Sequence, residues 1–158
     1  MKILLVTDGS NFSKTAIDTC QKIVVSPKNT SFKIISAVEF STMLPSDPFI
    51  GASADYYDRI EQAGHNQAKE FVEESAAQLR LLFSGDSLNL TTEVLDGSPQ
   101  RVIVEQAESW GADLIVIGSH GRGFWSRTMI GSVSDSVVHH APCSVLVVRT
   151  AQDLNKSV

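Results

Sequence analysis

The chain is expected to fold as an α/β protein: an open, five-stranded parallel sheet with helices on both faces, Rossmann-like in layout. Two observations point there. Short, strongly apolar runs alternate along the sequence with stretches whose apolar residues recur at helical spacing, the pattern of strands buried on both faces between crossover helices. Glycine, proline and small hydroxyl residues punctuate the junctions, as turns and helix caps require.

Residues 2–7 form the first apolar run, and Ala16, Ile17, Cys20, Ile23 and Val24 then recur at helical spacing, with Ser10, Asn11 or Ser13 placed to cap the helix. Residues 32–39 read as the second strand. The segment Ser41 to Gly51 carries two prolines and a glycine and is expected to be a loop. A long amphipathic helix follows from about Asp55 to Leu82, built on Ile60, Ala63, Gln67, Ala68, Phe71, Leu79 and Leu82, with Gly64 a weak point inside it. The third strand is the alternating stretch Leu88 to Leu95. Asp96-Gly97-Ser98-Pro99 then supplies a turn, an N-cap and a proline at the first helical position of a helix that ends at Gly111. The fourth strand is Asp113 to Ile117, a fourth helix begins near Ser132, and the fifth strand is Val145 to Arg149. No internal repeat interrupts this order. Residues 1–150 are expected to make one domain, and 151–158, polar in character, a frayed tail.

Charge and composition narrow the function. Thirteen basic against 18 acidic residues leave a net charge of −5 with no Lys/Arg cluster, which argues against an extended nucleic-acid or anionic-membrane footprint. No run approaches the roughly 20 apolar residues of a membrane span. The amino terminus has a single lysine and a short apolar run that leads directly into Asp8-Gly9, unlike a signal peptide. A cytoplasmic location is expected, with Cys20 and Cys143 reduced and not spaced as metal ligands.

The pattern most informative about function is Gly118-Ser119-His120-Gly121, then nine residues, then Gly131-Ser132-Val133-Ser134. Glycines let backbone amides approach a ligand closely, and a small residue opening a helix leaves unpaired N–H groups facing an anion. Phosphate is the anion this suggests. In an open α/β sheet, ligands sit beyond the carboxyl ends of the strands, where strand order reverses. Asp8 and Gly118 both fall at such ends.

These residues resemble the nucleotide-binding branch of the universal stress protein family, whose pattern is Gly, two residues, Gly, nine residues, Gly, then Ser or Thr. The likeness extends to Ile3 through Ser10, Ala112 through Gly118 and Ala141 through Arg149, in family order. Val6 and Ser144 depart from it, standing where the family often has proline. The resemblance implies strand order 3-2-1-4-5, so that Asp8 faces the Gly118 loop across a crevice. It further implies that Asp8 accepts a hydrogen bond near the adenine, with Thr7 beside it and the backbone of Val38 lining the base. Gly118, Ser119, His120 and Gly121 would pass close to ribose and phosphates, Gly131, Ser132, Val133 and Ser134 would present helix amides to the phosphate chain, and Arg122 and Arg127 would flank that cradle. ATP is the expected ligand, with Mg²⁺ held mainly by its phosphate oxygens. A homodimer through Val145 to Val148 is implied as well, since that apolar edge otherwise invites uncontrolled pairing.

Taken singly, each residue has a plainer reading. Asp8 alone suits a turn or helix cap, and Gly118 with Gly121 alone suits a tight turn; only their combination with Ser132 at the family spacing favours a ligand. Ser132 can cap its helix, and Val38 is a core residue whatever its backbone does. His120 reads as a hydrogen-bonding or structural residue rather than a general base, and His139 with His140 suits the negative end of the fourth helix. Other phosphate motifs fail: Phe124 and Trp125 occupy the Lys and Ser/Thr positions of a Walker loop, Gly121 to Ser126 lacks the third glycine of a dinucleotide fingerprint, and no Gly-x-Ser-x-Gly occurs. The expected function is an ATP-binding stress regulator with little or no hydrolysis. The alternatives are a slow ATPase or phosphotransferase, and an interaction module that binds no nucleotide.

Overall fold

A computed structural model describes residues 1–39, 54–85, 87–121 and 130–150. Five parallel strands form one sheet in the order β3-β2-β1-β4-β5, as expected. They are β1 (Lys2–Val6), β2 (Ser31–Val38), β3 (Asn89–Asp96), β4 (Leu114–Gly118) and β5 (Ser144–Val148). The α-helices are α1 (Asn11–Ile23), α2 (Ala54–Leu82), α3 (Pro99–Trp110) and α4 (Ser132–His140), and a single 3₁₀ turn, Pro27–Asn29, precedes β2. Strand limits differ by one residue from those read in the sequence because pairing, not hydropathy, decides where a ladder stops. The register sets Lys2 against Ser31, Ile3 against Leu114 and Leu114 against Ser144.

The continuous apolar runs follow from the two-sided burial of the sheet. Successive strand residues point to opposite faces, so Ile3 and Leu5 join α1 and α2 in one core with Phe32, Ile34 and Val116. Leu4, Ile35, Ile115 and Ile117 face the other way, onto Ile103 and Ala107 of α3 and Val137 of α4. Both cores are essentially dry: Ile3, Leu4, Ile34, Ile35 and Ile115 are each 0% exposed. Gly64 does not interrupt α2, which runs unbroken for 29 residues. Its buried face of Ala68, Val72, Ala76 and Leu79 outweighs the roughly 1 kcal/mol that a glycine costs in a helix.

Chain reversals between elements set up the functional edge. Gly9, at φ +76°, takes the chain from β1 into α1, and the ring of Phe71 lies where a Cβ would be. Gly111 closes α3 in the left-handed region at φ 67°, its amide bonding back into the last turn. β1 sits between β2 and β4, so connections leave it in opposite directions and the order reverses between β1 and β4. A crevice opens there.

Candidate functional site

Beyond the carboxyl ends of β1 and β4 lies a cavity of about 410 Å³. That lies within the roughly 300–1,000 Å³ span of small-ligand sites. Its walls come from six elements: Val6, Thr7 and Asp8 at the end of β1; Ala37 of β2; Ile117, Gly118, His120 and Gly121 at and after the end of β4; Gly131 to Ser134 at the start of α4; and Ser13, Pro99 and Ile103 from α1 and α3. Its apolar lining is made by Val6, Ala37, Pro99, Ile103 and Ile117, and its polar lining by Asp8, His120 and the start of α4. Such a chamber offers contacts both to a flat apolar group and to an anion.

Asp8 and the glycine loop do meet. A Cβ placed on Gly121 would lie 3.0 Å from Asp8 Oδ2, so the carboxylate and the loop face each other across the crevice. Asp8 Oδ1 meanwhile accepts the Ser10 amide at 3.0 Å, which fixes the carboxylate in an Asx turn. The turn reading and the cavity reading of Asp8 therefore hold together. Thr7 is 2% exposed, and its hydroxyl accepts from the Gly9 amide and from Ser75 Oγ and bonds Ser13 Oγ, pinning the end of β1 to α1 and α2.

The start of α4 is the polar wall. Its N-cap is Gly131, with no side-chain bond, so Ser132 is the first helical residue rather than the cap suggested by its residue type. The first intrahelical bond runs from the Asp135 amide to the Gly131 carbonyl at 2.9 Å. The amides of Ser132, Val133 and Ser134 precede it, and all three residues line the cavity. An uncapped helix start of this kind attracts an anion, worth roughly 0.3–1 kcal/mol and up to about 2 kcal/mol when partly buried.

Two hydrogen bonds hold that start against the loop after β4. The Gly131 amide donates to the Ser119 carbonyl at 2.8 Å, and Ser134 Oγ donates to the same carbonyl at 3.1 Å. A Cβ on Gly131 would stand 3.2 Å from this carbonyl oxygen, so the close approach depends on glycine. Gly118 is needed for a different reason. A Cβ there would lie 2.8 Å from the backbone carbon and the Cβ of Phe12, so its small size lets the first turn of α1 pack on β4.

Not every predicted residue reaches the cavity. Ser119 is 0% exposed and absent from the wall, and Val38 is replaced there by Ala37, the Val38 carbonyl instead accepting the Gly97 amide at 2.9 Å. Arg122, Arg127, Trp125 and the 41–53 loop lie outside the described residues. Ser13, Ala37, Pro99 and Ile103 are wall residues that sequence reasoning missed. Pro99 and Ile103 are four apart on one helix face, a usable signal only once the position of α3 against the sheet is known. His139 and His140 stand apart from the cavity, each ring bonding at 2.8 Å to a carbonyl of its own helix, those of Asp135 and Ser136. Among the described residues, no group of three His, Cys, Asp or Glu side chains could hold a metal ion, and no helix is long and apolar enough to cross a membrane.

Comparison with known proteins gives a consistent picture. The universal stress protein family profile matches residues 1–149. A universal stress protein of Methanocaldococcus jannaschii is 32% identical over 153 residues, covering 94% of this chain and 81% of that protein. One from Synechocystis is 30% identical over 156 residues, covering 94% and 97%. Among solved structures, the universal stress protein UspA of Lactobacillus plantarum superposes with a TM-score of 0.73 at 25% identity, covering 94% of this chain and 97% of that one. A universal stress protein in complex with cAMP (TM-score 0.67, 21% identity, 96% and 98% covered) and an Arabidopsis thaliana family member with AMP bound (0.62, 20%, 99% and 96%) share the fold.

Proposed function

Because the chain belongs to the universal stress protein family, we propose that it is an ATP-binding regulatory protein whose cavity between β1 and β4 seats the nucleotide. The observation that carries this reading is the open start of α4: a helix start without a side-chain cap, whose Ser132, Val133 and Ser134 line a cavity that also has an apolar lining. Adenine suits the apolar lining formed by Val6, Ala37, Pro99 and Ile103, with Asp8 accepting from the base or sugar. Phosphates suit the amides of Ser132, Val133 and Ser134, with Gly118, His120 and Gly121 closing around them. Thr7 supports this arrangement from the wall itself and Ser119 from behind it. Two relatives of the same fold hold adenine nucleotides, cAMP in one and AMP in the other. Mg²⁺ would be held chiefly by phosphate oxygens, with Asp8 the carboxylate on the wall.

A switch with little or no hydrolysis fits the site better than an ATPase. Phosphoryl transfer needs an oriented nucleophile and charge preorganised around the γ-phosphate. Here Nδ1 of His120 faces the Ser119 hydroxyl at 3.1 Å instead of the carboxylate that steadies a catalytic imidazole. Purification without added ligand followed by native mass spectrometry tests the reading: retained adenine nucleotide is expected. Multiple-turnover hydrolysis with Mg²⁺ tests the regulatory half, and rapid turnover lost on mutating the cradle would replace it with an enzyme. We further propose a cytoplasmic homodimer through β5, an edge strand whose Val145, Leu146 and Val147 are only partly buried. Light scattering should return twice the chain mass at micromolar concentration; a monomer would remove the dimer.

A further inference from the structure

Three side-chain hydroxyls meet next to the turn that carries Asp8. They belong to Thr7 at the end of β1, Ser13 of α1 and Ser75 of α2, which are 2%, 3% and 3% exposed. Ser75 Oγ lies 3.0 Å from Thr7 Oγ1, and Thr7 Oγ1 lies 3.3 Å from Ser13 Oγ. The Gly9 amide donates to Thr7 Oγ1 at 3.3 Å, and Ser13 Oγ donates to the Ser10 carbonyl at 2.9 Å. The hydroxyls are thereby bonded to both residues that follow Asp8. Four residues before Ser75, on the same face of α2, the Phe71 ring lies where a Gly9 Cβ would be. Helix α2 therefore meets this turn at two points, while neither Phe71 nor Ser75 is on the cavity wall.

The protons in this chain of hydroxyls run one way. A hydroxyl has one hydrogen to give and two lone pairs to fill. Among the described residues, Ser75 Oγ has one partner, Thr7 Oγ1; if Thr7 donated to it, the Ser75 hydrogen would be buried without an acceptor. Ser75 therefore donates. Thr7 Oγ1 then takes two hydrogens, from Ser75 and from the Gly9 amide, and gives its own to Ser13, which gives its own to the Ser10 carbonyl. Although Thr7 lines the cavity, its hydroxyl has nothing left for a ligand. Without the donor on Ser75, Ser13 could turn its hydrogen to Thr7 and away from the Ser10 carbonyl, so the chain takes its direction from α2.

We infer that Ser75 is a positioning residue: acting through Thr7, it fixes the turn from Asp8 to Ser10 in the shape that receives a ligand and so ties α2 to occupancy of the cavity. The direction of the hydroxyl chain stands on these contacts alone; its bearing on a ligand rests on the nucleotide reading proposed above. Thr7 is then the link between α2 and the turn, and its hydroxyl makes no bond to the nucleotide.

Amide hydrogen exchange of the ligand-free protein reads the turn directly. Ala76→Gly is the control, since it weakens α2 at the next buried position and touches no hydroxyl. The Gly9 amide should exchange about three- to tenfold faster in Ser75→Ala than in Ala76→Gly, the worth of one hydrogen bond. Equal exchange at Gly9 in the two variants overturns the proposal, whether or not ATP binds. Calorimetry with ATP gives the second reading. Ser75→Ala should weaken affinity by about three- to tenfold and Ala76→Gly should leave it unchanged, whereas a merely structural role would lower both alike. Thr7→Val keeps the branched shape without the hydroxyl, and the double variant Ser75→Ala, Thr7→Val should bind no more weakly than Thr7→Val alone. Losses that multiply would show Ser75 acting apart from Thr7, against the proposal. Failure of the unmodified chain to bind ATP would count against the nucleotide reading alone, since exchange at Gly9 still decides whether Ser75 holds the turn.

Discussion

Two helices begin at the carboxyl edge of the sheet within reach of the same crevice, and their first turns are finished in opposite ways. In α1 the Ser13 amide donates to Ser10 Oγ at 3.3 Å, and the Phe12 backbone is pressed against Gly118. In α4 the cap is a glycine with no side chain to offer, and the first amides open on the cavity. A closed start contributes to stability, about 1 kcal/mol for a serine cap. An open one forgoes that contribution and leaves donors for a ligand. The contrast separates residues that hold the fold from residues available for binding, although both sets lie within one motif region.

Substitutions should separate the two starts. Gly118→Ala acts on the α1 side and carries the largest expected cost, because the new methyl meets backbone atoms that cannot swing away. Chemical denaturation should show a loss of about 1–3 kcal/mol with or without ATP. Ser10→Ala removes the α1 cap and should cost about 1 kcal/mol in the same assay, leaving nucleotide affinity unchanged. Ser132→Ala, at the corresponding place in α4, removes a hydroxyl that caps nothing, and should change stability by less than about 0.5 kcal/mol. A loss equal to that of Ser10→Ala would show α4 to be side-chain capped after all and erase the distinction.

A smaller effect concerns the two thiols. Burial pushes Cys20 up to about 12, and also raises Cys143, which remains partly exposed. The folded chain holds the Cys20 proton more tightly than the unfolded chain does. That contribution to stability is complete below the ordinary thiol value of 9.0 and is lost as pH rises towards about 12. At about pH 8, iodoacetamide should modify Cys143 first and Cys20 only upon unfolding, as peptide mass mapping would show.

The layered architecture was legible from the sequence because period-2 and period-3.6 signals are local. Ile3 and Leu5 facing one layer with Leu4 facing the other is what a doubly covered strand demands. The strand order came from family resemblance alone, since periodicity carries no information about which strands are neighbours. That limit explains the misses. Ala37, Pro99 and Ile103 reach the cavity only because β2 and α3 flank β1 in space. Gly118 was legible as a required glycine, but its reason, the backbone of Phe12, is tertiary. Ser119 belongs to the motif by spacing and to the interior by burial, a distinction that no spacing can express.

Gly121 is the residue through which the binding claim is tested most directly. It is exposed, its φ is not in the left-handed region, and among the described residues the nearest obstacle to a side chain there is the tip of Asp8. Gly121→Val should therefore fold with near-normal stability while filling the crevice between the carboxylate and the glycine loop. Calorimetric titration of the unmodified chain and this variant with ATP and Mg²⁺ should give one site per chain in the first and a loss of at least about 100-fold, near 2.7 kcal/mol, in the second. Equal affinity in both would place the nucleotide elsewhere and contradict the account.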